Sequence, residues 1–302
     1  MQGFLNLHKP GAITSHDCVA MLRRWLGTRK IGHGGTLDPM ATGVLPIAVG
    51  RATRLLPYLA TDKTYRAVIR FGLTTSTDDL EGEVLTQSSA RELHLEHIEA
   101  LLPEFLGAIA QVPPAFSAVQ VQGQRLYALA RRGHTVMPPS RTVTLYHLRV
   151  EAWQPGDYPE LTLLVDCGPG TYIRSLARDL GQRLGTGATL ARLQRLRSGG
   201  FELAQSLTLE AIQHQVANHK LVLAEPETVL GHLPSLALEP DLARRWQQGQ
   251  KIAPPQPLPP HQPHRLLAAA TGEFLGIGQV ERVETGSILK AKVVFQPWIG
   301  PP

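Results

Sequence analysis

The sequence contains few cysteines, few aromatic residues and no long apolar run. Its two cysteines, Cys18 and Cys167, are far apart and adjoin no cluster of histidines or further cysteines. A disulfide framework and a structural zinc site are therefore not expected. The sequence contains no run of about 18 apolar residues, the length needed to span a membrane. Its N-terminus also lacks the basic segment followed by an apolar segment that is typical of a secretory signal. These absences predict a cytoplasmic protein.

Charge is moderate in amount but uneven along the chain. The 302 residues carry 30 Lys+Arg and 25 Asp+Glu, a formal net charge of +5. Between Gln122 and Arg197 there are 11 arginines against five acids, which leaves a local net charge of +6. Such an arginine-rich strip is typical of proteins that bind phosphate groups, although a GC-rich genome also enriches arginine. The pattern indicates nucleic acid as a partner without distinguishing DNA from RNA.

Strand-like and helix-like patterns alternate through the first 230 residues, with Gly and Pro between them. Alternation over residues 65–71 predicts a strand with Tyr65 on its buried face. Since no regular βαβ period is present, we expect a mixed α/β or α+β domain. The other predicted elements are strands at 43–50 and 161–167, a helix at 15–27 capped by Ser15, and a helix from the turn at 168–170 to Leu184.

Composition changes near the C-terminus. Residues 254–263 contain six prolines in ten, which excludes a helix or a central strand there. Three short strand patterns follow between 266 and 294, with a hairpin turn at Thr271-Gly272. We predict a first domain over residues 1–232 and a small β-rich domain over residues 233–302.

The segment from Gly32 to Pro46 (GHGGTLDPMATGVLP) holds four glycines and two prolines in fifteen residues, which excludes a helix or an ordinary strand. It is neither a dinucleotide-binding motif nor a P-loop, because it lacks the third glycine of the first and the GK[ST] of the second. Its single carboxylate is Asp38, which His33 precedes and Pro39 makes rigid. Asp38 is therefore either a candidate reactive group or the first residue of an Asp-Pro turn.

A second candidate region is 167–181 (CGPGTYIRSLARDLG). Its predicted helix places Arg174 and Arg178 four residues apart on one face. An arginine near the start of a helix opposes the helix dipole, so its position indicates an anionic partner, either a phosphate or a buried carboxylate. A solvated helix face would show the same pattern.

Seven segments of the chain can be compared with a known family. They are KPGAITSH (9–16), GHGGTLDPMATGVLP (32–46), DKTYRA (62–67), QVPPAFSAV (111–119), GQRLYALARRG (123–133), GTYIRSLARDLG (170–181) and LQRLRSG (193–199). Together they resemble the bacterial tRNA pseudouridine-55 synthases of the TruB type, in the family's order and over most of residues 3–200. One such match would be weak, but seven in order are highly specific.

The resemblance implies a fold and a reaction. The expected fold is a pseudouridine synthase catalytic domain on a mixed, largely antiparallel sheet flanked by helices, with a small C-terminal PUA-like RNA-binding domain. The expected reaction isomerises uridine 55 in the T-loop of tRNA to pseudouridine, without redox change and hence without cofactor or metal. By resemblance, Asp38 is the catalytic carboxylate, which attacks C1′ or acts at C2′ on a glycal route. Arg174 would pair with Asp38, and Tyr65 would stack on the target base and accept or relay the C5 proton.

The resemblance also implies residues that bind the tRNA T-arm stem-loop. His33 would occupy space near the flipped base, or would be a turn histidine bonded to backbone. Tyr172 and Leu193 would line the uracil pocket, although Leu193 is equally compatible with the core of a helix. The arginines between 125 and 197, including Arg195, would bind the phosphates of the T-stem. No protein partner is implied.

Two positions depart from the family pattern. Gln120 stands where many members carry lysine, and the turn before Tyr172 is GPG where lysine is often found. A guide-RNA-dependent relative and a non-catalytic tRNA-folding chaperone remain alternative functions. The lack of terminal extensions and of a lysine-rich tail favours a stand-alone enzyme over the first, and the presence of Asp38 and Arg174 favours catalysis over the second.

Overall fold

The computed structural model describes residues 1–115, 138–284 and 286–297, with the backbone alone at 120–121 and 124–125. Within these ranges, no helix is long and apolar enough to cross a membrane. The helices are α1 (Ser15–Trp25), α2 (Leu95–Leu101), α3 (Ile173–Arg183), α4 (Leu209–Ala217), α5 (Pro226–Val229) and α6 (Pro240–Gln247). The strands are β1 (Gly3–Lys9), β2 (Ile31–His33), β3 (Thr42–Val49), β4 (Lys63–Phe71), β5 (Leu73–Thr75), β6 (Val84–Gln87), β7 (Gly107–Gln111), β8 (Gln120–Val121), β9 (Gln124–Arg125), β10 (Arg141–Gln154), β11 (Glu160–Cys167), β12 (Ala188–Ser198), β13 (Phe201–Glu202), β14 (Ser235–Leu238), β15 (Pro263–Ala268), β16 (Phe274–Val283) and β17 (Gly286–Val294).

Nine strands form a central sheet with β4 in its middle. The order along the main path is β1-β3-β12-β4-β11-β10-β7, with β2 paired to β3 and β13 paired to β12. The pairs are antiparallel except β3 with β12, which is parallel. The prediction of a mixed, largely antiparallel sheet flanked by helices is confirmed.

Strand β4 shows why the sheet has one buried and one exposed face. Tyr65, Ala67 and Ile69 are buried in the main apolar cluster, together with side chains of α2 and α3. Arg66, which lies between them, is exposed on the other face and pairs with Glu151 of β10. The alternation predicted for this strand is confirmed.

Helix α3 lies on the buried face of the sheet. Ile173, Leu176 and Leu180 are buried in the same cluster as the inner side chains of β4. Gly181 lets the helix approach β12, because a Cβ at this position would overlap the backbone of Ala188. The predicted helix is confirmed, and its first turn carries Arg174 to the buried face of the sheet.

The N-terminus of α1 differs from the prediction in one respect. Thr14, not Ser15, is the N-cap: its hydroxyl accepts a hydrogen bond from the Asp17 N–H, and the Asp17 side chain accepts one from the Thr14 N–H. Ser15 is instead buried and bonds to Leu37. The expected cap residue is therefore used to hold another part of the chain.

The junction of β3 with β12 depends on one glycine. Gly43 lies opposite Arg195 in the short parallel pairing and has φ +104°. A Cβ at position 43 would overlap the backbone of Arg195. Only a residue without a side chain therefore allows these two strands to meet.

The C-terminal residues form a separate four-stranded sheet, in the order β14-β15-β16-β17. Its core surrounds the fully buried Trp246 of α6, and the predicted strands and the turn at Thr271-Gly272 are confirmed. Phe274 and Val293 of this sheet also pack with Phe4 and Val44 of the central sheet. The C-terminal β domain is thus joined to the first sheet by a shared apolar cluster.

Candidate active site

Residues from four different elements meet on the buried face of the central sheet. The loop between β2 and β3 contributes Asp38, β4 contributes Tyr65, α3 contributes Arg174 and β12 contributes Leu193. Leu37 precedes Asp38 and lies in the same apolar cluster as Tyr65 and Leu193. Leu193 lies on a strand, so the alternative that placed it in a helix core is wrong. These predicted residues are therefore gathered in one place.

An ion-pair network joins the candidate carboxylate to the first turn of α3. Arg174 Nε lies 2.9 Å from Asp38 Oδ2, and Arg174 Nη1 lies 3.4 Å from Asp79 Oδ2. Nη1 also donates to the carbonyl oxygen of Thr77 at 3.0 Å. The Arg174 side chain is 5% exposed and that of Asp38 is 32% exposed, so Asp38 is open to a ligand while its partner is not. Of the two anionic partners considered for Arg174, the structure shows the carboxylate.

Asp79 is a site residue that sequence reasoning missed. Its side chain is 5% exposed and accepts hydrogen bonds from the hydroxyl of Thr77 at 2.5 Å and from the N–H of Glu81 at 3.1 Å. Its neighbour Asp78 pairs with Arg178 at 2.9 Å. The signal in the sequence was a pair of acids in a turn, matched by two arginines four residues apart on a helix.

Two buried polar side chains, Lys9 and Ser15, hold the loop that carries Asp38. Lys9 donates to the carbonyl oxygens of Pro39 at 3.1 Å and Ala41 at 2.7 Å. Ser15 bonds both the N–H and the carbonyl oxygen of Leu37. Because the backbone is held on both sides of Asp38, the carboxylate is oriented before any ligand arrives.

The buried lysine of this support has a perturbed acidity. Burial lowers the pKa of Lys9, and Cys18 and the carboxylate of Asp38 oppose that effect. Its ammonium is nevertheless well satisfied, since it also donates to the carbonyl oxygen of Pro10 at 2.7 Å. Lys9 therefore holds the Asp38 loop in place by donating hydrogen bonds to its backbone.

Tyr65 is almost fully buried between β11 and β12. Burial raises the pKa of its phenol, and the guanidinium of Arg195, which lies opposite it on β12, opposes that effect. At neutral pH the group is therefore a phenol and not a phenolate. The charge of Asp38 acts in the same direction as burial and also raises the pKa of Tyr65.

Comparison with known families identifies the chain. Residues 23–173 match the family described as TruB family pseudouridylate synthase (N terminal domain). Residues 174–232 match the tRNA pseudouridylate synthase B C-terminal domain, and residues 234–288 match Pseudouridine synthase II TruB, C-terminal. The chain belongs to the TruB family of pseudouridine synthases.

The sequences of similar proteins align with nearly the whole of this TruB chain. The tRNA pseudouridine synthase B of Gloeothece citriformis is 53% identical over 284 residues, which are 94% of this chain and 92% of that one. The tRNA pseudouridine synthase B of Synechocystis sp. is 52% identical over 298 residues, 98% of this chain and 100% of that one. Among solved structures, a Cbf5-Nop10-Gar1 complex matches with a TM-score of 0.75 and 26% identity, over 98% of this chain and 85% of that chain.

His33 and Tyr172 are the predicted base-contacting residues of this TruB protein. His33 is the last residue of β2, and Tyr172 directly precedes α3. The Nδ1 of His33 accepts a 3.4 Å hydrogen bond from the N–H of Gly35, and burial together with Arg195 lowers the pKa of His33, so the ring is neutral at pH 7. The N–H and carbonyl oxygen of Tyr172 are both bonded by the side chain of Gln111, at 2.8 and 3.0 Å.

The prediction that Arg195 binds T-stem phosphates is wrong. Its side chain is fully buried, and it donates to the carbonyl oxygens of Val44 at 2.7 Å, Gly35 at 3.0 Å and Thr36 at 3.3 Å. Arg195 is therefore the third support of the Asp38 loop. The alternation of β12 places it on the same buried face as Leu193, a signal that was present in the sequence.

The expected arginine-rich strip is not one surface. Arg149, Arg192 and Arg197 lie on the exposed face of the sheet, opposite to Tyr65, where they pair with acids of β10 and β11. The side chains of the arginines at 125, 131 and 132, and of Gln120, lie outside the described residues. Alternation along the strands separates charges that are neighbours in sequence, so a local excess of arginine did not predict a single binding face.

The TruB residues described here contain no cluster of three or more histidine, cysteine or acidic side chains arranged to hold a metal ion. What the site provides is an accessible carboxylate, a buried guanidinium that pairs with it and a buried phenol. This set can supply a nucleophile or base, an electrostatic partner for it and a hydroxyl that donates a hydrogen bond.

Proposed function

We propose that this enzyme converts uridine 55 in the T-loop of tRNA to pseudouridine, with Asp38 as the reacting carboxylate. The observation that carries the proposal is the accessible Asp38 carboxylate, 2.9 Å from the buried Arg174 guanidinium, next to Leu37, which packs in the same apolar cluster as the buried Tyr65. The relatives that are named tRNA pseudouridine synthase B, about half identical over nearly the full chain, support tRNA as the substrate.

The reaction is an isomerisation, so the product contains the same atoms and electrons as the substrate. The N1–C1′ bond of uridine breaks, the uracil turns within the pocket, and a C5–C1′ bond forms. C5 then loses one proton and N1 gains one, so no atom or electron is exchanged with another substrate. Asp38 assists the first step either by bonding to C1′ or by removing the proton at C2′ on a glycal route.

Arg174 and Asp79 orient the carboxylate in this proposal. A guanidinium held at two nitrogens by fixed partners cannot rotate, so the Asp38 oxygen that it contacts is held in one direction. The carboxylate, which is 32% exposed, then faces the sugar. The ion-pair network therefore orients the Asp38 carboxylate before the substrate binds.

Tyr65 has two roles in the proposal. Its ring packs against the extruded base, and its hydroxyl relays the C5 proton. Because burial raises the pKa of Tyr65, the phenol accepts a proton only as it passes its own proton on. The buried Arg195 beside it stabilises negative charge that develops on the oxygen during this step.

Substrate entry requires base flipping. A uridine in a folded T-loop is stacked, and its extrusion costs a few kcal/mol, which contacts with the protein must offset. We assign His33 to the space near the extruded base, and Leu193 and Tyr172 to the uracil pocket. A neutral His33 fits beside an uncharged base.

The wider assignments follow from the same substrate. We propose a catalytic domain over residues 1–232 and a PUA-like RNA-binding domain over residues 233–302, which contacts the tRNA outside the T-loop. The enzyme would act on the T-arm stem-loop without a protein partner, in the cytoplasm where tRNA is modified. The Cbf5-Nop10-Gar1 complex shows that a similar fold also works with protein partners, and at 26% identity it is the more distant comparison.

Tritium release tests the reaction and its carboxylate together. A tRNA transcript with uridine tritiated at C5 loses its label only if the C5 hydrogen is replaced. We expect release from the T-loop with the wild-type enzyme and none with Asp38→Ala, which should still bind the transcript. If the wild type binds the transcript but releases no label, the protein is a tRNA-binding chaperone and the catalytic roles are withdrawn.

A further inference from the structure

Lys63 is a half-buried cation without a carboxylate partner among the described residues. It begins β4, two residues before Tyr65, and its side chain is on the same face of the strand. Its ammonium donates to the carbonyl oxygen of Thr61 at 2.9 Å, and the part of the chain that the structure describes gives it no ion pair. An ammonium has three N–H donors, so this contact uses one of them.

A second cation, Arg195, lies near Lys63. Burial and the nearby Arg195 guanidinium lower the pKa of Lys63, while Cys167 and Asp62 act in the opposite direction. One oxygen of the Asp62 carboxylate accepts a hydrogen bond from the hydroxyl of Tyr146 at 3.2 Å. Withdrawing a cation from water beside another cation is unfavourable, unless an anion completes the site.

Gly35 of the Asp38 loop brings the two cations close to each other. Gly35 lies between the two cations: a methyl group at this position would be 3.7 Å from Arg195 Nη1 and 3.8 Å from Lys63 Cε. The carbonyl oxygens of Gly35 and Thr36 already occupy the guanidinium of Arg195. Of the two cations, Lys63 therefore has donors to offer, and Arg195 contributes its charge.

We propose that Lys63 binds a phosphate group of the RNA backbone beside the extruded uridine. This inference rests on the proposed function, because a nucleotide whose sugar reaches Asp38 and whose base packs on Tyr65 carries its phosphates along the rim of the same pocket. A compact ammonium on a flexible stem suits a phosphate oxygen as a point charge. The contact ties RNA binding to the strand that positions Tyr65.

The experiment measures how binding depends on salt. A T-arm hairpin RNA is titrated with the full-length protein at increasing KCl, in an Asp38→Asn background so that the uridine is not converted. We expect Lys63→Met to weaken binding roughly tenfold at low salt. The slope of log Kd against log salt should fall by about 0.7 to 0.9, the value for one lost phosphate contact. Lys63→Arg should keep the slope, and Lys220→Met, at an exposed lysine, should change neither quantity.

A chemical change in the RNA tests the same contact without a protein variant. Single methylphosphonate linkages are placed in turn around the target uridine, each with a 2′-O-methyl group that prevents strand cleavage. One neutral linkage should reproduce the loss of slope in the Lys63 protein and cause no further loss with Lys63→Met. An unchanged slope with Lys63→Met, or no linkage that behaves in this way, overturns the proposal. Tritium release by the wild type is measured separately, so that failure of the reaction is distinguished from failure of the phosphate contact.

Discussion

Asp38 and Asp79 bind the same guanidinium through different nitrogens. Asp38 contacts Nε of Arg174 at 2.9 Å, and Asp79 lies 3.4 Å from Nη1. Asp38 is partly open to solvent and Asp79 is not. One carboxylate is therefore available to react, and the other fixes the arginine that orients it.

The first prediction concerns Asp79, which does not touch the substrate in this scheme. Asp79→Asn should lower kcat about 100-fold, because a misplacement of about 1 Å in a reacting group has an effect of that size. Affinity for tRNA should stay within about twofold, since the change is buried. Single-turnover tritium release and filter binding measure the two quantities.

Asp78→Asn is the matched control for that variant. Asp78 is the neighbouring acid but pairs with Arg178, which is not bonded to Asp38. Its loss should reduce kcat much less than the loss of Asp79. Equal effects of the two substitutions would show that the turn, and not the orientation of Arg174, limits activity.

The second prediction is that Lys9 stabilises the folded protein. Lys9→Met leaves the carbonyl oxygens of Pro10, Pro39 and Ala41 without their donor, which should lower the free energy of unfolding by about 2 to 4 kcal/mol. Urea denaturation should show a lower midpoint with an unchanged m value. The exposed Lys220→Met should remain within about 0.5 kcal/mol of the wild type; a similar loss there would refute the role of burial.

The third prediction concerns alkaline stability. Burial raises the pKa of the Cys167 thiol from 9.0 to about 11. Because its folded pKa is above its unfolded pKa, the contribution of this group to stability is complete below pH 9 and is lost as the pH rises towards 11. The stability of the wild type relative to Cys167→Ala should therefore fall by about 2 kcal/mol between pH 8 and pH 11.

Chemical denaturation at pH 8, 9, 10 and 11 measures that difference. Taking the wild type against the variant at each pH removes the contributions that both proteins share, including that of Tyr65, whose pKa burial also raises. Cys18→Ala retains Cys167 and should therefore still show the loss of stability at high pH that is attributed to Cys167. A constant difference between wild type and Cys167→Ala would contradict the prediction.

The fourth prediction follows from the division of the arginines between two faces. Arg192→Gln and Arg149→Gln alter the exposed face of the sheet, opposite to Tyr65, and should leave the Kd for a T-arm hairpin within about twofold. Each loses only a surface ion pair, so stability should change by less than about 1 kcal/mol. A large loss of affinity in either variant would contradict this prediction and would indicate that the T-stem binds to the exposed face of the sheet.

The sequence was informative where local pattern decides the outcome. Alternation predicts β4 and the buried position of Tyr65, and the density of glycine and proline marks the loop that carries Asp38. The pairing of Asp38 with Arg174 came from family resemblance and not from any local pattern, because the two residues are brought together only by folding. Their assigned chemistry remains a prediction.

Other parts of the site could not be found in this way. Asp79 reaches Arg174 across 95 positions of sequence, through a turn whose shape depends on Thr77 and Glu81. Arg195 was assigned by its charge to the surface, whereas the alternation of β12 places it inside. Its charge alone suggests a phosphate-binding residue, but its hydrogen bonds to the carbonyl oxygens of Val44, Gly35 and Thr36 show that it supports the loop.

The contact of Gly43 with Arg195 makes the site depend on a place where no chemistry occurs. Gly43 is the second residue of β3, just after the Asp38 loop, and Arg195 both holds that loop and lies opposite Tyr65 on the neighbouring strand. One added methyl group would move these two strands apart and separate the carboxylate from the phenol. The spacing of the reacting groups therefore depends on the absence of a side chain at position 43, a residue that takes no part in the reaction.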